Sequence, residues 1–168
     1  VEHFPEEINS GDILLSKVTE TTYDGPRRSV ISTDYTYDRQ AQLSTTTIHT
    51  SDGQVRMHTR RYPYYYGTAI PFIQKMIDAN NVSAVIEEIE EDSITSKVVS
   101  GIISRYRVDN PGQVESVSLL GSGIPGYISS TDNKNSFVMS PGYYEKMSCT
   151  YDEVDNPVQI IDNSGLST

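Results

Sequence analysis

The chain has no tryptophan, three phenylalanines and a single cysteine. One thiol, Cys149, cannot form an internal disulfide, which excludes a disulfide-stapled secreted mini-domain; Cys149 reads as a small apolar residue on a strand. No run approaches the roughly 18 apolar residues of a membrane helix, so no membrane insertion of this segment is expected. Positive charge is scarce too: 13 Lys and Arg stand against 23 Asp and Glu, a net charge of −10. An acidic surface repels phosphate backbones, and nucleic acid is not an expected partner. No charged and then apolar leader follows Val1, and the chain stops at Gly165-Leu166-Ser167-Thr168, just past a turn signal. It reads as a piece of a longer polypeptide.

What is abundant is equally selective. Twelve tyrosines outnumber all other aromatics, and Ser, Thr, Asn and β-branched residues dominate over leucine. This mixture favours strands and polar turns over helices. At 168 residues the chain is long enough to bury a core of useful size.

Residues 1–12 form a polar entry segment, and Ile13 to Thr22 alternates as a strand. Tyr23-Asp24-Gly25-Pro26 is a turn signal, after which Ser29 to Tyr37 returns as a second strand. Gln42 to Thr50 and Val55 to Tyr62 flank Asp52-Gly53, which predicts a two-residue type I′ hairpin. That register sets Thr50 against Val55, His49 against Arg56 and Ile48 against Met57. It would gather Ile48, Val55 and Met57 on a core face and His49, Arg56, His58 and Arg60 on a wet one. A helix is predicted over 70–79, with Pro71 in its first turn and Asn80-Asn81 as its stop. Strands are expected at 82–91 (with a continuation of the helix as the alternative), 94–106 (one strand or a pair bent at Gly101), 114–120, 144–151 and 158–161, with turns at 109–112 and 155–157 and loops through 121–142.

Tyr-Asp dipeptides recur at Tyr23-Asp24, Tyr37-Asp38 and Tyr151-Asp152. Aligned, the last two open the same pattern: Thr-Tyr-Asp, a short turn, a β-branched strand, then a turn with Asp or Asn and Gly. Here the sequence resembles the YD-repeat, or RHS-repeat, family of bacterial wall-associated and secreted proteins. The family pattern is Tyr-Asp, two residues, Gly, a small or charged residue, Leu or Val, an extended stretch, then Asn/Asp-Gly and Thr. Asn156, Pro157, Val158, Gln159, Ile160, Gly165 and Thr168 match it after Tyr151-Asp152, as do Gln42, Leu43 and Asp52-Gly53 after Tyr37-Asp38. Ala41 and Asp155 replace the pattern's glycine, and a turn of different type is expected at Ala41, since alanine adopts the left-handed conformation poorly. The copy at Tyr23 is weak, and 63–145 carries no clean repeat. The resemblance implies hairpins stacked into one long, curled sheet that encloses or displays a separate domain, a role without catalytic residues.

His49 and His58 beside Arg56 suit an exposed sheet face better than a metal site, for which a third ligand is missing, and His3 suggests nothing. Tyr62, Tyr64, Tyr65 and Tyr66 suit aromatic packing, with a stacking platform for sugar or peptide as the second reading. The run Glu87, Glu88, Glu90, Glu91 and Asp92 reads as a solvated strand face. The glycine-rich 121–126 lacks the Lys-Ser/Thr of a phosphate loop, and 132–135 reads as a polar loop tip.

The expected fold is therefore mainly β: antiparallel hairpins in a curled or repeat-like sheet with one short α-helix. The expected division is hairpin repeats over 1–66, a degenerate insert over 67–145 and a truncated terminal repeat over 146–168. The function expected is a non-catalytic structural segment of a bacterial surface or secreted protein, without cofactor or metal. Its partners would be the rest of the parent polypeptide and, through sheet edges, other copies. The alternative is an adhesin module that binds carbohydrate or protein through its tyrosine-rich surface.

Overall fold

The computed structural model describes residues 14–121, 137, 139 and 142–163. The readings made above for 1–12, His3, most of the 121–126 and 132–135 stretches, Gly165, Leu166, Ser167 and Thr168 lie outside those residues. The rest form one antiparallel, open sheet in which the strands follow chain order: β1 (Lys17–Asp24), β2 (Arg27–Tyr37), β3 (Leu43–Thr50), β4 (Val55–Arg61), β5 (Glu87–Asp92), β6 (Lys97–Tyr106), β7 (Val114–Leu120), β8 (Tyr143–Tyr151) and β9 (Pro157–Asp162). The fold is mainly β with one short helix. The segment 67–145 contributes β5, β6, β7 and the start of β8 to this same sheet.

The helix, α1 (Pro71–Asp78), begins on a proline, whose fixed φ and missing N–H suit a first turn. It ends in a Schellman motif: Asn80 takes φ +56°, and the Asn80 and Asn81 N–H groups donate to the carbonyls of Ile77 and Met76. Its apolar side buries Phe72, Ile73 and Met76 with Tyr66, Ile70 and Ile86. The Arg105 guanidinium lies 5.9 Å over the Phe72 ring, which ties the helix to β6. Asn81 Nδ2 also donates to the Pro111 carbonyl, and Gln42 Nε2 to that of Val82, so the chain after the helix is held at both sides.

The Asp52-Gly53 hairpin differs from expectation by one residue. His49 pairs with Val55, Ile48 with Arg56, and Thr47 with Met57. Gly53 has φ +85° and its N–H donates to Thr50, whereas Asp52 does not take positive φ. The loop is thus the three-residue kind, a type I turn closed by glycine in the left-handed region, and not a type I′ turn. Asp52 favours it by accepting from the Thr50 hydroxyl and from Gln54. A slip of one residue reverses a strand's faces, so His49 shares its face with Val55 and Met57, while Ile48 sits with Arg56 and His58. The shared face proposed for His49, Arg56 and His58 does not form. His49 instead lies 3.3 Å from Asp34, which also pairs with Lys17.

The acidic run is not simply a wet face. β5 lies antiparallel to the basic β4, and Arg56–Glu90, Arg60–Glu88 and Arg61–Glu87 pair at 3.4, 2.9 and 2.7 Å. Glu87 is fully buried.

Candidate functional site

The informative geometry lies at one end of the sheet. Here β2 turns into β3 through residues 38–42, and β8 turns into β9 through 152–156, by the same bonds. Asp38 N–H donates to the Gln42 carbonyl and Asp152 N–H to that of Asn156, both at 2.9 Å. Ala41 N–H and Asp155 N–H return to the Asp38 and Asp152 carbonyls at 3.1 Å. Asp38 Oδ1 accepts from the Gln40 and Gln42 N–H groups; Asp152 Oδ1 accepts from those of Val154 and Asn156. The aspartate in each pair organises the turn from inside, as Asx turns do. These bonds, that from Asn156 first, hold the Asp152 carboxyl below its ordinary range.

Ala41 and Asp155 both occupy the left-handed region, at φ +59° and +66°. The different turn expected at Ala41 does not occur; the network around Asp38 outweighs alanine's reluctance. Each turn is also preceded by a one-residue irregularity in the ladder, with Ser44 and Val158 as the extra residues.

Tyr23-Asp24 is not a third copy. It lies at the opposite end of the sheet, where Tyr23 pairs with Arg28 and Asp24 with Arg27 around Gly25-Pro26. Gly25 at φ +57° before a proline gives a tight two-residue hairpin, and Tyr23 is largely exposed.

Two further tyrosines, which carry no aspartate after them, complete the pattern. Tyr37 ends β2, Tyr62 follows β4, Tyr106 ends β6 and Tyr151 ends β8. Three of them reach back to the start of the preceding strand: Tyr62 hydroxyl donates to the carbonyl of Leu43 at 3.0 Å and Tyr151 to that of Val114 at 2.8 Å, the first residues of β3 and β7, while Tyr37 donates to Leu15, two residues before β1, at 3.0 Å. Tyr106 packs against the core under the helix. Its ladder irregularity, with Glu115 as the extra residue, matches those at Tyr37 and Tyr151. The signal available in the sequence was a tyrosine closing every second strand, with or without aspartate.

The turn after Tyr106 is joined to the one after Tyr151. Arg107 pairs with Asp109 and, at 3.0 Å, with Asp155, while its guanidinium stacks 4.9 Å above the Tyr151 ring. Asn110 Nδ2 donates to Asp155 Oδ2 and Gln113 Nε2 to the Asp155 carbonyl. Hydrogen bonding to Arg107 comes first among the causes that lower the Asp109 carboxyl's pKa.

The tyrosine run 62–66 separates into two roles. Tyr66 is buried in the core, edge-on to Tyr65 and Phe137, and its hydroxyl faces Glu87 at 3.4 Å. Burial, then the Glu87 charge, pushes its phenol far above the ordinary range. Tyr62 is also buried, and burial raises its phenol too. Tyr64 is exposed, and Tyr65 carries the Arg61 guanidinium 4.6 Å above its ring. Beside the Asp38 turn these rings border a cleft of about 460 Å³ to which Arg39, Gln40, Ser44 and Arg60 contribute. It offers stacking surface and guanidinium donors, but no paired acids and no nucleophile beside a base. Among the described residues no group of three His, Cys, Asp or Glu is disposed to hold a metal, and no helix is long and apolar enough to cross a membrane. Cys149 is half-buried on β8.

Comparison of the chain with protein-family models, with curated proteins and with solved structures gives no match.

Proposed function

We propose that the chain is a non-catalytic structural segment of a larger bacterial surface or secreted protein of the YD-repeat kind, a shell or display scaffold. The observation that carries this reading is the identity of the Asp38 and Asp152 turns together with the tyrosine that closes every second strand. A two-strand unit cannot bury its own apolar face, and stacking along a sheet supplies the missing neighbour. At Tyr37, Tyr62 and Tyr151 the hydroxyl then ties two neighbouring strands together at that end. Sheet edges without a partner also favour some self-association, detectable by light scattering.

The test is Tyr37→Phe, Tyr62→Phe and Tyr151→Phe, singly and together. Each change removes one hydroxyl and should lower stability by about 1 kcal/mol. Well-separated units should give nearly additive losses. If all three variants unfold at the wild-type denaturant midpoint, the tyrosines do not bind the units together and the repeat reading fails.

A second reading, an adhesin module that binds carbohydrate or protein, is favoured by the cleft beside Asp38, where Tyr64 is exposed and Arg39 has no ion-pair partner among the described residues. A glycan array repeated with Tyr64→Ala separates the two. Signals lost on that change support a module; a blank array for both supports the scaffold.

A further inference from the structure

The tyrosine pattern leaves one place unfilled, and its position predicts what fills it. Leu43, at the head of β3, is paired in the ladder with Tyr37 on one side and accepts the Tyr62 hydroxyl from the other. Val114, at the head of β7, is paired with Tyr106 and accepts the Tyr151 hydroxyl. Pro157, at the head of β9, is paired with Tyr151 and stands where Leu43 stands in the Asp38 turn. No second tyrosine reaches its carbonyl among the described residues.

The strand that Pro157 opens is also the barest of its kind. Every residue of β9 is exposed, with Val158 and Ile160 each at 62% and Ile161 at 41%. The opposite edge, β1, carries Thr19, Glu20, Thr21 and Thr22 along its middle and shows no comparable apolar row. Asn163 N–H donates to the Lys146 carbonyl. By the two-residue alternation of an antiparallel ladder, Ile161 then faces β8 and the Ile160 backbone faces outward.

Strand direction narrows the choice of occupant. In an antiparallel sheet whose nine strands follow chain order, β1 and β9 run the same way. A copy added head-to-tail would set β1 parallel to β9, unlike every other pair in the sheet. Two β9 strands related by a two-fold axis would be antiparallel, but β9 contains no tyrosine to reach Pro157.

We infer that the β9 edge is a docking surface for one extended strand, antiparallel to β9 and ended by a tyrosine whose hydroxyl donates to the Pro157 carbonyl. The partner is thus the second strand of a hairpin that β9 begins. This rests on the repeat reading above and adds the occupant, its direction and its anchoring group.

The full chain is extended at Thr168 through a short Gly-Ser linker by a copy of Ser29 to Tyr37. The controls are the same extension with its terminal tyrosine replaced by phenylalanine, and a scrambled copy. The intact extension should slow hydrogen exchange at the Ile160 amide by about tenfold or more. The phenylalanine version should retain only part of that protection, and the scrambled copy none. Equal exchange with the intact and scrambled copies overturns the inference, as does equal protection with tyrosine and phenylalanine. An Ile160 amide already protected by a dimer of the unextended chain makes a second copy the occupant and overturns it as well. The Tyr→Phe variants of the unextended chain report on the repeat reading separately, so failure of the extension alone leaves that reading standing.

Discussion

Ala41 and Asp155 hold the same place in two equivalent turns, each forced to positive φ by an aspartate three residues earlier. For alanine this conformation costs about 1–2 kcal/mol. Ala41→Gly should therefore stabilise the chain by about 0.5–1 kcal/mol once glycine's greater freedom in the unfolded state is subtracted. At this chain length that is a rise of roughly 2–4 °C in Tm per kcal/mol. Asp155→Gly should move Tm the other way, because Asp155 tolerates the conformation and accepts from Arg107 and Asn110. Calorimetry of the two variants checks the opposite signs; two rises would mean that the Asp155 contacts contribute nothing.

Gly101 marks a close approach. A Cβ added there would collide with the Tyr143 hydroxyl and crowd Leu120. Of the two readings for 94–106, one strand or a pair bent at this glycine, the single strand holds: with a one-residue ladder irregularity at Val99, β6 continues through Gly101. Its role is to leave room for a ring from β8, two strands away. Gly101→Ala should cost about 1–3 kcal/mol as an overpacking change. The double variant Gly101→Ala with Tyr143→Leu should recover part of the loss in urea unfolding; an additive loss would show that the tyrosine is not what the glycine accommodates.

Glu87 and Arg61 form the one deeply placed ion pair among the described residues, with the carboxylate wholly buried and the guanidinium nearly so. Removing one partner strands the other's charge away from water. Glu87→Leu alone should cost about 3–5 kcal/mol, and Arg61→Met added to it should restore most of that. Denaturant midpoints of both variants and their combination supply the test, and a combined loss equal to the sum would mean the two charges are not coupled.

Much of this arrangement was legible because it rests on local chemistry. The helix limits follow from Pro71 and Asn80, and the ends of β7 from the Asn110-Pro111-Gly112 turn and the apolar run after it. What escaped was non-local. Asp52-Gly53 fits two loop lengths, and the choice depends on side-chain bonds from Thr50 and Gln54 that the dipeptide does not encode. The burial of Glu87 depends on β4 and β5 being neighbours across the helix. The signal was present in the opposed charges of Val55 to Arg61 and Glu87 to Asp92, but it has meaning only once those strands are paired. Tyr62 and Tyr106 are followed by Pro63 and Arg107, so a Tyr-Asp dipeptide does not mark them. The Tyr62 hydroxyl bond to Leu43 needs no aspartate, and Tyr106 shares the strand-end place without such a bond.

Asp152 makes the turn chemistry testable by pH. Its carboxyl is held below the ordinary value of 3.8, chiefly by the Asn156 N–H, a donor that is in place only in the folded chain. A carboxylate with a depressed folded pKa adds stability that is complete above its unfolded pKa and is lost as pH falls through the folded one. Wild-type stability should thus decline below about pH 4 as this and similar carboxylates protonate. Asp152→Asn removes the titrating group, so it should lower stability near neutral pH and flatten the acid limb of the curve. A carboxyl NMR titration of the wild type should place Asp152 below 3.8. An Asp152 resonance that titrates at or above that value would mean the turn does not favour the charged form. The two Tyr-Asp turns would then owe their shared geometry to the backbone and not to the aspartate.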